Sequence, residues 1–300
     1  MPTDRHGTPF PPVRRLGPQD LKRCVALSVD RGWSPEKRKW ALLLEAAEAF
    51  GVDAPDGGRG SGALAGAVVL TRYGADLASV GMMLVAARHG RRGLGRALMT
   101  HVLAEAGDAT VTLFATDLGK PLYERLGFRA IRRNATFTGP FQAGPRGPAS
   151  DNSKMRTRPA VDDADMAAIL EVDKAAFGAD RSHLLTRLPA FAEQLLVLET
   201  GDGVSGFAAA WRNDTATVIG PVVAPGGTAA RLLIADLATP VRGRVRLDVD
   251  PDRADRPELP AWAVRHGLDP SGVTTVMAHG DRNPPGDQAR LFTPVSVALA

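Results

Sequence analysis

Hydrophobic positions along the 300-residue chain fall into short blocks that switch between a helical and a strand-like period. From Asp20 to Leu27 the apolar side chains recur at helical spacing and predict an amphipathic helix. Ser34-Pro35-Glu36 reads as a second helix start, serine as N-cap and proline in the first helical position, opening a helix from Lys37 to Phe50. Ala63 to Thr71 and Leu77 to Ala86 are strand-like. The second is an unbroken apolar run of the kind buried on both faces of a sheet. From Gly93 the residues Leu94, Ala97, Leu98, Val102 and Leu103 return to the helical period as far as Gly107, after which Thr110 to Thr116 has strand composition. Strand, loop, helix, strand is a βαβ unit. A short helix from Pro121 to Leu126, capped by Gly127, and a strand opening at Phe128 complete an α/β half with a mixed sheet.

The order then repeats. Asp20-Leu21 corresponds to Asp165-Met166 at an offset of 145, Val80-Gly81 to Ile219-Gly220 at 139, and Leu126-Gly127-Phe128 to His266-Gly267-Leu268 at 140. Three landmarks in one order at a nearly constant offset predict a duplicated fold. Between the halves, Gly139 to Pro159 carries three glycines and four prolines among polar residues and has no hydrophobic period, so it reads as a linker. The expected architecture is α/β (α+β): two tandem domains, residues 1–138 and 158–300, each a mixed central sheet flanked by helices, joined by a linker at 139–157.

Composition narrows the function classes. With 44% hydrophobic and 23% charged residues, the chain has the material for two cores, which excludes disorder over most of its length. The single cysteine, Cys24, cannot form an internal disulfide, and six scattered histidines give no zinc-ligand spacing, so no metal is expected. The formal net charge of +4 is too small and too dispersed for a nucleic-acid partner. No apolar run approaches the roughly 18 residues needed to cross a bilayer, and no apolar segment follows Met1-Pro2-Thr3-Asp4-Arg5-His6. The expectation is a cytoplasmic protein without a membrane partner.

Chemistry concentrates in GMMLVAARHGRRGLGRALM, Gly81 to Met99, where a buried strand, a glycine-arginine loop and a helix N-terminus follow one another. Gly90, Gly93 and Gly95 let the backbone approach a ligand. The free N–H groups of the first helical turn attract an anion, and Arg88, Arg91, Arg92 and Arg96 surround it with positive charge. This is a phosphate cradle or, on the glycines and arginines alone, equally a surface loop with solvated arginines; neither a Walker A loop nor a Rossmann fingerprint has this spacing.

Gly90-x-x-Gly93-x-Gly95 after Leu84-Val85 resembles the acetyl-coenzyme A loop of the GNAT superfamily of N-acetyltransferases, in which Arg or Gln is followed by two residues, Gly, one residue, and Gly or Ala. Ala115-Thr116-Asp117-Leu118-Gly119-Lys120-Pro121-Leu122-Tyr123-Glu124-Arg125-Leu126-Gly127-Phe128 is similar to the family's second hallmark, ending in Leu-Tyr-Glu-x-Leu-Gly-Phe. Gly90 replaces the leading Arg or Gln, so Arg91 or Arg92 has to supply that charge, and Thr116 stands where many members have asparagine. The resemblance extends over nearly the whole chain to tandem bacterial members.

The resemblance implies acetyl-coenzyme A as cosubstrate, a small-molecule amine as acceptor, and direct attack of the amine on the thioester. It places the pantetheine arm on the backbone of Met83 and Val85, with the Met83 N–H holding the thioester carbonyl, and the phosphates on Arg88, Gly90, Arg91, Arg92, Gly93, Leu94, Gly95 and Arg96. Tyr123 takes the place of the general acid that protonates the departing thiolate; a phenol near its reference pKa of about 10 suits that task. Packing a helix on the sheet is the plainer role for Tyr123. No base stands out by spacing: Glu45, Glu48 and Asp117 are candidates by region or else solvated charges. Trp33 and Trp40 line an acceptor pocket or belong to the core. In the second half, Val223-Ala224-Pro225-Gly226-Gly227-Thr228 lacks arginine, and Trp262 to Leu268 lacks tyrosine, so that domain is expected to be degenerate and His266 structural. Arg181 either reaches a substrate or the first domain or, the plainer expectation, forms a surface ion pair. The rival reading is a non-catalytic acyl-coenzyme A binding or sensing protein.

Overall fold

In the computed structural model, which describes residues 3, 9–55, 62–144, 155–253 and 258–299, each half opens with the same clasp. Strand β1 (Arg14–Leu16) presents Arg14, whose guanidinium donates to both oxygens of Asp20 at 2.8 and 3.1 Å. Helices α1 (Leu21–Asp30) and α2 (Lys37–Ala46) follow, then β2 (Glu48–Asp53), β3 (Leu64–Tyr73), β4 (Leu77–Val85), α3 (Leu94–Ala106), β5 (Thr110–Ala115), α4 (Lys120–Glu124) and β6 (Phe128–Pro140). The second half repeats the clasp in β7 (Arg156–Pro159), where Arg158 holds Asp165 at 2.6 and 2.7 Å. Then come α5 (Asp163–Phe177), α6 (Ser182–Leu185), α7 (Leu188–Phe191), β8 (Gln194–Thr200), β9 (Gly203–Arg212), β10 (Thr217–Val223), α8 (Gly227–Ala238), β11 (Arg244–Val249), α9 (Glu258–Arg265), β12 (Asp269–His279) and β13 (Leu291–Thr293). All three sequence landmarks coincide. Asp20 and Asp165 close the clasps, Gly81 and Gly220 sit in corresponding strands, and Gly127 and Gly267 end helical segments at φ 86° and 83°.

Two local expectations need correction. The helix expected from Lys37 to Phe50 stops at Ala46, and Glu48 to Phe50 belong to β2. Leu42 to Ala47 are good helix formers with no glycine or proline to end the run, but pairing with β1 and β3 on its two sides outweighs that propensity. Its start also differs: Glu36, in the left-handed region at φ 48°, occupies the N-cap, and Ser34 and Pro35 lie outside the helix. At the expected linker, β6 runs on to Pro140 and β7 opens at Arg156. Residues 145–154 lie outside the described residues, as do most of the first eight.

The strands form one sheet in the order β1-β2-β3-β4-β5-β12-β6-β11-β10-β9-β8-β7, with β13 added to β10. Sheet order departs from chain order at its centre. Strand β12 of the second half lies between β5 and β6 of the first, and β6 in turn pairs with β11. The halves thus exchange a strand reciprocally. On one face of the first half, α3 packs Leu94, Leu98, Met99 and Val102 over Val80, Val111 and Leu113. On the opposite face a single core joins α1 and α2 to α5, α6 and α7, with the ring of Tyr73 edge-on to Phe177 at 5.0 Å. Burial of this shared apolar face fastens the halves together alongside the exchanged strands.

Candidate active site

Strands β4 and β5 run parallel from Leu77↔Thr110 to Val80↔Leu113, and there the pairing ends. The cause is local. Val69 pairs with Gly81 and Ala67 with Leu84, so Val68 faces both Met82 and Met83, and Met82 takes φ 48°. A bulge of this kind bends one strand away from its neighbour. Beyond it, Met83 and Val85 are half-buried on the α3 side, and no strand among the described residues takes up the β5-facing edge of β4 there. Across the gap stands Gly95. A Cβ on it would lie 3.1 Å from Met83 Cε, 3.3 Å from Leu122 Cδ2 and 3.7 Å from Val85 Cγ2, so glycine leaves this groove open.

The loop at the groove's end is held from below. The Ala87 N–H donates to Asp30 Oδ2 at 2.6 Å, and buried His89 lies edge-on to Phe10 at 5.2 Å. Arg91 and Gly93 are both left-handed, at φ 59° and 76°, which turns the chain into α3 with Gly93 as N-cap. The first intrahelical bond comes from the Ala97 N–H to the Gly93 carbonyl, so the N–H groups of Leu94, Gly95 and Arg96 point outward without helical acceptors. Arg88, Gly90, Arg91 and Arg96 are exposed around this mouth, and the half-buried Arg92 has its Nη1 buried with no partner among the described residues. An orphaned guanidinium nitrogen beside free helix N–H groups fits an anion such as a phosphate. The residues singled out from sequence, from Met83 to Arg96, therefore come together at one groove and its mouth.

Tyr123 projects from α4 next to Leu122, which touches the groove at Gly95. Its ring lies over Gly119 and 5.9 Å from Phe128, and burial alone pushes its hydroxyl up to about 12. The hydroxyl has no hydrogen-bond partner among the described residues and stays protonated far above neutral pH. Other named residues lie elsewhere. Glu48 pairs with Arg15 and Arg72, Glu45 and Asp117 are exposed, and Trp40 is core, its Nε1 donating to Ser28 Oγ at 2.8 Å. Trp33 is exposed. Cys24 is fully buried in α1, which pushes its thiol up to about 12.

The second half has the same bulge and fills the gap beside it. Ile219 pairs with Ala210 and Val222 with Ala208, so Gly220 and Pro221 share one partner position. Strand β10 pairs with β11 only at Thr217 and Val218. Into the gap comes β13 of the same chain, with Val222 opposite Thr293 and the Ala224 N–H donating to the Arg290 carbonyl at 3.0 Å. At the offset of 139, Val222 and Ala224 are the counterparts of Met83 and Val85. The tail then crosses both bulges. A Cβ on Gly220 would fall 2.1 Å from the Pro294 carbonyl oxygen and one on Gly81 2.3 Å from that of Ala298, approaches that only glycine permits.

Two family models match, both described as acetyltransferase (GNAT) domain, at residues 59–140 and 169–293, together about two thirds of the chain. The chain belongs to the GNAT acetyltransferases. It is a tandem GNAT protein and an acyltransferase. It is 26% identical over 241 residues to YitH, an uncharacterized N-acetyltransferase of Bacillus subtilis, covering 78% of this chain and 80% of YitH. The solved structure of a Pyrococcus horikoshii protein shares the fold with a TM-score of 0.76 at 19% identity, covering 96% of this chain and 95% of that one. A tandem GNAT protein from the clavulanic acid biosynthesis pathway matches with a TM-score of 0.63 at 16% identity, covering 91% and 99%.

On the face of the GNAT sheet opposite α3, a cavity of about 790 Å³, its open mouth included, lies between the halves. Thr112 and Phe114 of β5 line it beside Arg132 and Asn134 of β6, and the second half adds Asp250 and Arg181. Phe114 is the first β5 residue past the last pair with β4, so the cavity adjoins the opening of the groove. Arg181 forms an ion pair, but a buried one rather than the expected surface pair. It donates to both oxygens of Asp173 at 2.6 and 2.8 Å and lies 4.0 Å from the Phe177 ring, because α5 and α6 turn it into the shared core. His266 is structural, bonded through Nδ1 to the Trp262 carbonyl and stacked on Phe141. No spacing in the sequence pointed to Arg132 or Asp250. The signals available were an arginine pair inside a predicted strand and the run Asp248-Val249-Asp250.

Proposed function

We propose that this acyltransferase moves an acetyl group from acetyl-coenzyme A to a primary amine of a small molecule, and that residues 1–138, completed by β12, carry the chemistry. The observation that carries the reading is the open groove between β4 and β5, edged by unpaired Met83 and Val85 backbone and ending at a glycine-arginine helix N-terminus. Main-chain groups of Met83 and Val85 hold the pantetheine arm. The N–H groups of Leu94, Gly95 and Arg96, with Arg88, Arg91 and Arg92, hold the phosphates, and Gly90 and Gly93 keep the loop close to them.

The Met83 N–H donates to the thioester carbonyl oxygen as the amine attacks, a preorganised contact typically worth about 3 kcal/mol. Tyr123 donates its hydroxyl proton to the departing thiolate, for which burial keeps the proton in place. Attack is direct, since Cys24 is buried and protonated and offers no nucleophile. The second half keeps the fold but binds no acyl-coenzyme A, its groove being filled by β13. Release of free thiol from acetyl-coenzyme A in the presence of an amine library, with products read by mass spectrometry, tests this reading. Binding of acetyl-coenzyme A without acetylation of any amine would refute it.

A further inference from the structure

The structure assigns the interdomain cavity to an acceptor amine that also carries a carboxylate, held by Arg132. This rests on the acetyl-transfer reading above and adds the substrate class. Phe114, Val276 and Arg132 stand in one row across three neighbouring strands, for Val276 pairs with Phe114 on one side and with Arg132 on the other. At about 4.8 Å per strand, the Arg132 backbone is roughly 10 Å from Phe114, and β4, which has parted from β5 there to open the groove, lies farther still. The cavity is graded along that row. On the β4 and β5 side its wall is Leu77, Thr112 and Phe114, with Phe114 the one beside the groove, while β6 and the segment after β11 bring Arg132, Asn134, Asp250 and Arg253.

Three other arginines close to this cavity have bound carboxylates. Arg181 is neutralised by Asp173, Arg246 by Asp248, and Arg133 by Asp252. Arg132 differs. Its one hydrogen bond among the described residues runs from Nη1 to Gln288 Oε1 at 3.0 Å, which leaves most of a five-donor fork without an acceptor. Burial and the like charge of Arg253 disfavour its charge, and Asp250 offsets only part of that. A carboxylate meeting the fork would supply the missing acceptor. The acceptor's amine then lies in the apolar part beside the groove, several ångströms from its anion, the span of an ω-amino acid rather than of an α-amino acid.

The test compares ω-amino acids having three to six methylenes with alkylamines of the same length, in wild type, Arg132→Gln and Arg132→Lys, each with its unfolding midpoint recorded. The expected result is a wild-type preference of at least tenfold in kcat/KM for the amino acids, residing in KM, reduced to near one in Arg132→Gln and partly restored in Arg132→Lys. Equal use of both series by wild type, or an undiminished preference in Arg132→Gln, overturns the inference and leaves acetyl transfer standing. If no amine is acetylated, calorimetry decides. Binding of the amino acids that is lost in Arg132→Gln upholds the cavity assignment while acetyl transfer fails, and no binding overturns both.

Discussion

Replacing Gly95 by valine should separate stability from cofactor affinity, because the groove and the fold respond to the same atoms with opposite signs. Gly95 lies in the first turn of α3, where glycine costs up to about 1 kcal/mol relative to alanine, and valine recovers part of that. The new Cβ would sit 3.1 Å from Met83 Cε and 3.3 Å from Leu122 Cδ2, both ends of flexible side chains able to give by a few tenths of an ångström. The fold should therefore change by no more than about 1 kcal/mol, a few degrees at most in the unfolding midpoint. The two γ carbons, in contrast, enter the space between Met83 and Val85 that the pantetheine arm needs. Overpacking of this kind costs about 1–3 kcal/mol, which lowers acetyl-coenzyme A affinity by roughly 5-fold to 150-fold. Calorimetric titration beside a thermal scan reads both quantities. An intact fold with affinity within twofold of wild type would refute the placement of the groove.

Further outcomes are expected. Tyr123→Phe should lower turnover by roughly 10²-fold to 10⁴-fold with little change in acetyl-coenzyme A affinity, and because burial raises the hydroxyl to about 12, wild-type activity should show no alkaline loss attributable to it near the ordinary phenol value of about 10; turnover within twofold of wild type would leave Tyr123 a packing residue. Full-length protein should titrate with one acetyl-coenzyme A per chain, since β13 occupies the second groove, and two sites would disprove that reading. Asp20, held at about 2 chiefly by Arg14, should contribute on the order of 2 kcal/mol of stability that is present above the ordinary carboxylate range near 3.8 and lost as pH falls through 2. Urea unfolding of Asp20→Asn should show that deficit at pH 7 and a shrinking one below pH 4; a deficit independent of pH would remove the ion pair as its cause.

Legibility from sequence followed the range of the interactions. The run from Gly81 to Met99 could be read because its elements are adjacent in the chain and its glycines answer local demands: the left-handed turn at Gly93, the groove at Gly95 and the tail's approach at Gly81. Strand β2 was hidden inside a helical pattern, since what makes Glu48 to Phe50 a strand is its pairing with Arg14–Leu16 and with β3. The missing arginines of the second loop were legible, whereas the filling of its groove was not, for β13 lies nearly 70 residues further along the chain and Leu291-Phe292-Thr293 gives no hint of its destination. Arg132 escaped notice for the same reason. Its meaning comes from Phe114, Gln288 and Asp250, which only the completed sheet assembles.

The strand exchange sets a timetable for synthesis. When β6 has been made, the edge of β5 still lacks its neighbour, and β6 has neither β12 nor β11 to pair with. Strand β12 ends at His279, so at 5–20 residues per second the first half waits roughly 7–30 s for the piece that closes it. During that interval it offers open strand edges that invite wrong partners, including the same strands of a neighbouring nascent chain. The half that contains the groove is thus finished only once β12 has been made, and a chain cut short after Pro140 would hold every residue of the glycine-arginine loop with β5 and β6 still unjoined.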